Sequence, residues 1–89
     1  MRRENGDDFS ATYNVGAVDS FVFEGNPFNI DSDRFIARYG SQEYDSGCVT
    51  GQFANQVFLF EPGVTQVEVE VIGGCATDVG SWEFIISCD

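Results

Sequence analysis

Apolar and polar residues alternate most cleanly in Val67-Glu68-Val69-Glu70-Val71, with the valines on one side and the glutamates on the other. That period of two is the mark of a strand with one face covered. Trp82-Glu83-Phe84-Ile85-Ile86 sends Trp82, Phe84 and Ile86 the same way. Val18-Asp19-Ser20-Phe21-Val22-Phe23-Glu24 is rich in β-formers and meets a turn signal at Gly25-Asn26-Pro27. Arg34-Phe35-Ile36-Ala37-Arg38-Tyr39 stops at Gly40, and Gln56-Val57-Phe58-Leu59-Phe60 stops before Pro62-Gly63. The latter run is apolar on both faces, as in a strand covered on both sides. No window carries the i, i+3, i+4 stripe of an amphipathic helix.

The predicted strands are 10–15, 18–24, 33–39, 43–46, 53–60, 65–72 and 82–87. Short strands broken by turns at this spacing define an all-β class, a single small antiparallel β-sandwich or jelly roll of about seven strands. Residues 1–8 read as a flexible polar arm and 9–89 as the sandwich domain. The predicted core is Phe21, Phe23, Phe35, Val57, Leu59, Val69, Val71, Trp82, Phe84 and Ile86.

Composition then narrows the chemistry. The chain has 89 residues, 15 Asp and Glu against 4 Arg, no Lys and no His, for a formal charge of −11. Hydrophobic residues at 43% set it apart from disordered acidic chains. Without His or Lys there is no Ser-His-Asp triad, no His-ligated zinc and no Schiff base. Fifteen acids offer many carboxylate pairs, but nothing selects one, so no catalytic residue is assigned and no enzyme is expected. So acidic a body repels nucleic-acid phosphate and anionic membrane, and neither is an expected partner. Met1-Arg2-Arg3 opens like the basic region of a signal peptide, but no apolar stretch follows it.

Strand directions place the three cysteines. If 33–39 runs up, the chain reaches Cys48 and then Cys75 at the bottom, and Cys88 at the top. A disulfide, if one forms, is therefore Cys48–Cys75; the alternative is three small buried thiols.

A wider resemblance rests on several short motifs. They are Asp33-Arg34-Phe35 leading to Tyr39-Gly40, Tyr44-Asp45-Ser46-Gly47-Cys48-Val49, Val67-Glu68-Val69 leading to Gly73-Gly74-Cys75, and Gly80-Ser81-Trp82-Glu83-Phe84 with Ser87-Cys88. Their order over residues 10–88 resembles a small β-sandwich module of bacteriophage structural proteins and secreted bacterial proteins. It is loosely similar to the pre-peptidase C-terminal and collagen-binding type of sandwich. Such modules usually carry Gly-Thr-Ala before the Trp strand, where this chain has Val79-Gly80-Ser81, and Pro where it has Ser32. The resemblance implies a binding or architectural accessory in a virion or extracellular setting.

Polar constellations offer one candidate site. Asn29, Asp31 and Asp33 alternate along one strand side, and Asp45, with Glu43 near it, can approach from the paired strand. Hard oxygen donors of this kind suit calcium, although the spacing is not that of an EF-hand. The competing reading is an Asx-rich loop, with Arg34 paired to Asp45. Apart from calcium no cofactor is expected.

Three functions remain open. The leading one is a structural subunit of a larger assembly, such as a phage decoration, cement or fibre-associated protein. Its partners would be copies of itself or a capsid or fibre scaffold, met through the arm and a sheet edge. The second is a carbohydrate- or surface-binding module, needing exposed aromatics, with Tyr13, Tyr39 and Tyr44 as candidates. The third is an acidic mimic of nucleic acid.

Overall fold

A computed structural model describes residues 2–5, 8–16, 19–27, 32–50, 54–73, 75 and 82–88. The strands are β1 (Arg2–Asn5), β2 (Phe9–Asn14), β3 (Ser20–Pro27), β4 (Ser32–Tyr39), β5 (Gln42–Thr50), β6 (Ala54–Leu59), β7 (Gln66–Gly73) and β8 (Trp82–Cys88). Two four-stranded antiparallel sheets face each other. Sheet A has the order β1-β8-β3-β6 and sheet B the order β2-β7-β4-β5. The all-β sandwich expected from the alternation is the architecture observed.

The core is the layer between the sheets. Phe21, Phe23, Trp82, Phe84 and Ile86 from sheet A meet Phe35, Ala37, Tyr39, Val67, Val69 and Val71 from sheet B. Aromatic rings fill it, with Phe21 edge-on to Tyr39 at 5.0 Å between centroids and stacked on Phe58 at 5.0 Å. Such pairs add to the stability gained from burying ring area. Eight of the ten predicted core residues lie in this layer. Val57 and Leu59 do not.

The β6 error comes from parity. Ala54 and Phe58 point inward, so Val57 and Leu59 point to the outer face of sheet A, at 52% and 65% exposure. A one-residue shift in parity exchanges the two faces of a strand. The run is apolar on both sides, so its pattern cannot say which side is inner. β6 is also an edge strand with β3 as its partner, rather than a strand covered on both sides.

Two other boundaries differ for local reasons. Gly25-Asn26-Pro27 does not turn; it continues β3, where Gly25 pairs with both Ala54 and Phe84. A Cβ at Gly25 would lie 2.6 Å from the Phe35 ring, so this glycine makes room for the core. β5 runs past Ser46-Gly47 because that dipeptide forms a bulge: the register with β4 slips between Arg34 and Ile36, and Gly47 has φ 67°. Ser46 Oγ accepts the Phe35 N–H at 2.9 Å beside the slip.

The polar arm is a strand over part of its length. Arg2–Asn5 pairs antiparallel with Ile85 to Trp82 and covers the outer edge of β8. At its end Asp8 accepts the Gly73 N–H at 3.0 Å. A polar segment with weak alternation carries little strand signal. Its backbone pairing is supplied by β8, which its own side chains do not announce.

Candidate interaction surface

Sheet B turns a charged face outward. β4 places Arg34, Ile36 and Arg38 on it, β5 places Glu43 and Asp45, and β7 places Glu68 and Glu70. Arg34 forks onto Asp45, with Nε donating to Oδ1 at 2.9 Å and Nη2 donating to Oδ2. Arg38 donates from Nε to Glu43 at 2.8 Å and from Nη1 to Glu68 at 2.7 Å, and its Nη2 lies 3.7 Å from Glu70. Ile36 sits among them and is only 5% exposed, although it points away from the core. The arginine stems and their carboxylates therefore form a lid over an apolar side chain.

The fork from Arg34, with the Gly47 N–H second, holds the Asp45 carboxyl down at about 2, below its ordinary 3.8. Interleaving each acid with an arginine also breaks up any rows of bare carboxylates on this face. That arrangement is unlike the phosphate-like rows a nucleic-acid mimic requires.

The calcium set does not assemble among the described residues. Asp33 points inward and is fully buried, whereas Asp45 lies on the outer face of the same sheet, bound to Arg34. Asp45 pairs with outward-facing Ile36, and the alternation of β4 turns Asp33 to the inner side, so the two carboxylates lie on opposite faces of the sheet. Asn29 and Asp31 lie outside the described residues, and among those described no cluster of three metal-ligating side chains occurs.

The tyrosines are not presented as a platform. Tyr39 is buried, donates to the Val64 carbonyl at 3.2 Å and accepts the Glu61 N–H at 3.3 Å. Tyr13 and Tyr44 are half-buried against the core. Cys48 and Cys75, the pair that strand directions bring to one end, are joined by a disulfide with Cα atoms 6.0 Å apart. Closing a loop of 27 residues this way contributes about 3–4 kcal/mol.

A clasp joins the ends of β5 and β6. The Glu61 carboxylate accepts the Ser41 N–H at 2.9 Å and the Gln42 Nε2–H at 3.2 Å. The Ser41 bond comes first among the causes that lower the Glu61 pKa. Gly40 has φ 59°, and a Cβ there would strike the Glu61 carboxylate at 2.5 Å, so the clasp needs glycine twice over. The Gln42 side chain behaves as a short piece of strand: its Oε1 accepts the Leu59 N–H at 3.1 Å and its Nε2 donates to the Leu59 carbonyl at 2.7 Å.

Beyond the clasp no described residue guards the β6 edge. The Phe60 N–H reaches the Asp19 carbonyl at 2.9 Å, which fixes which residues bond to β3. Backbone groups of Phe58 then face β3, and those of Asn55, Val57 and Leu59 face away from it. Gln42 meets both groups of Leu59, and among the described residues the one other contact is the exposed Gln56 amide on the Val57 carbonyl at 3.1 Å. Beside this edge lie the large exposed hydrophobic residues found among the described ones, Val57, Leu59 and Phe60 at 48%, with Val22 next to Val57 in the register. No charged residue stands between Asp45 and Glu61 in a chain of net charge −11. That gap is the sequence signal that marks the edge, and strand periodicity alone passes over it.

No protein-family model matches the chain, and a search of curated proteins finds no match either. Among solved structures the chain is similar to TmCBM61, a structure in complex with β-1,4-galactotriose, with 18% identity and a TM-score of 0.45 over 99% of this chain and 69% of that one.

Proposed function

We propose that this chain is a non-enzymatic interaction domain, a subunit that docks within a larger assembly through β6 and the neighbouring outer face of sheet A. The observation that carries this reading is the exposed trio Val57, Leu59 and Phe60 beside an edge without charge, proline or bulge. Lone monomers blunt such edges, because an apolar, unpaired strand recruits other strands. A contiguous apolar patch on an otherwise acidic body marks a contact surface. The Cys48–Cys75 bridge supports an oxidising setting, on a virion or outside a cell. A phage decoration, cement or fibre-associated protein is the kind of assembly component this reading has in view.

A second reading has one observation in its favour. Phe60 offers an exposed ring at the end of the strand that also carries the exposed Asn55 and Gln56 amides. Ring faces next to amides suit a carbohydrate- or surface-binding module.

Titrations followed by backbone amide NMR separate the two. A soluble peptide of alternating Val and Lys serves as a generic strand, and galactotriose serves as the glycan. Shifts confined to 54–60 and Val22 with the peptide support strand docking. Shifts centred on Phe60 with the sugar move the assignment to the second reading. A β6 that responds to neither probe overturns both.

A further inference from the structure

We propose that the partner strand at this edge is β6 of a second copy of this chain, antiparallel about a two-fold axis at Gln56, joining two A sheets into one of eight strands. The inference rests on the reading of β6 as the contact surface and names its occupant.

The clasp sets the register. Gln42 already satisfies both backbone groups of Leu59, so the free part of the edge ends there. Outward-facing backbone groups remain at Asn55 and Val57, one residue to either side of Gln56. An axis at Gln56 sets Asn55 against Val57 of the second copy and Val57 against its Asn55, and each pair exchanges two backbone hydrogen bonds. An axis at Val57 would instead set Asn55 against Leu59, whose groups are taken. Under the Gln56 axis the two copies of Val57 become diagonal neighbours on the outer face, close enough to cover one another. The Gln56 amide now resting on the Val57 carbonyl stands where the second copy's N–H would bond, and it is free to swing aside.

Charge selects a second copy over a cationic partner. A basic ligand is attracted to acids all over this molecule and gains nothing from a stretch that has none. Two copies at −11 each repel everywhere except where the surface is neutral. Residues 54–57 are neutral and exposed beyond Ala54. The pairing is short, so the dimer belongs to the small, transient class of interfaces.

Salt dependence follows from the sign of the charge. Screening shortens from roughly 30 Å at about 0.01 M salt to roughly 8 Å at about 0.15 M. A dimer of like-charged copies therefore strengthens with salt, whereas a complex with a basic partner weakens.

Sedimentation velocity across protein concentration, at those two salt levels, tests the proposal. The expected result is a dimer whose fraction rises with concentration and with salt. Val57→Lys lowers the net negative charge and yet should weaken the dimer at least about tenfold, because it puts two ammonium groups side by side at the axis. Geometry is tested by Gln56→Cys in a Cys88→Ser background. Residues opposite one another in a non-hydrogen-bonded pair have Cα atoms about 4.5 Å apart, within disulfide range. Mild oxidation should give a covalent dimer, while Glu43→Cys in the same background should not. Circular dichroism melts confirm that each variant folds. A monomer at every concentration and salt level, with no crosslink above the Glu43→Cys control, overturns self-pairing. A dimer indifferent to Val57→Lys also overturns it, because the contact then lies elsewhere. If β6 still responds to the alternating peptide, the contact-surface reading survives the loss of this occupant; silence in both experiments removes both.

Discussion

The two sheets solve the problem of an outward apolar residue in opposite ways. On sheet B, Ile36 points away from the core but lies under Arg34, Arg38 and their carboxylates, and it is buried. On sheet A, Val57 and Leu59 also point away from the core, and no described residue covers them in a comparable way. Position in the sheet accounts for the difference. Ile36 belongs to an inner strand, with β5 and β7 on either side to supply carboxylates at matching register. β6 has a neighbour on one side only, and its neighbour β3 offers Ser20, Val22 and Glu24 opposite Leu59, Val57 and Asn55. An outward apolar residue is thus part of the protein's own stability on one face and available to a partner on the other.

Two neighbouring residues of β6 differ most. Phe58→Ala removes a ring buried against Phe21 and Tyr39 and should cost about 3–5 kcal/mol in urea unfolding. Its neighbour Leu59→Ala should cost less than about 0.5 kcal/mol, as exposed positions do. Equal losses at the two sites would mean that the inner and outer faces of β6 have been assigned wrongly.

A middle-sized effect contrasts the two outward residues. Ile36→Ala should destabilise by roughly 2–3 kcal/mol, since it empties a covered site. Val57→Ala should leave the monomer within about 0.5 kcal/mol of wild type. A harmless Ile36→Ala would show that the arginine lid covers nothing of energetic value.

The smallest effect concerns the lid's charges. The Asp45 pKa is depressed in the folded protein, so its ionised form binds Arg34 better there than in the unfolded chain. Its contribution is complete above about pH 4 and is lost as pH falls through about 2. The fork is open to solvent, with about a third of the Asp45 side chain exposed, so the difference between wild type and Asp45→Asn at neutral pH should stay under about 1 kcal/mol. Urea melts of both proteins at pH 6 and at pH 2 should converge at the acid end. A gap that persists at pH 2 would assign Asp45's role to packing instead of charge.

Alternation at Val67–Val71 and at Trp82–Ile86, with glycine and proline between the strands, determined the β-sandwich class and most of its core. There one side of each strand is plainly more apolar, so burying it is the one low-energy choice. The relative directions of successive strands likewise brought Cys48 and Cys75 to one end, because chain reversal at turns needs no knowledge of packing. Tertiary structure alone decided the rest. The faces of β6 followed from its pairing with β3 and the fit of Phe58 against Phe21, as its own two faces are equally apolar. The strand at Arg2–Asn5 depends on the free edge of β8, and the clasp on Gly40 leaving space for Glu61. Asp33 and Asp45 were parted by strand pairing, which sets Asp45 opposite outward-facing Ile36 while Asp33 takes the inner side of β4. Each of these depends on a residue distant in sequence, and pattern along a single strand carries no record of what lies across from it.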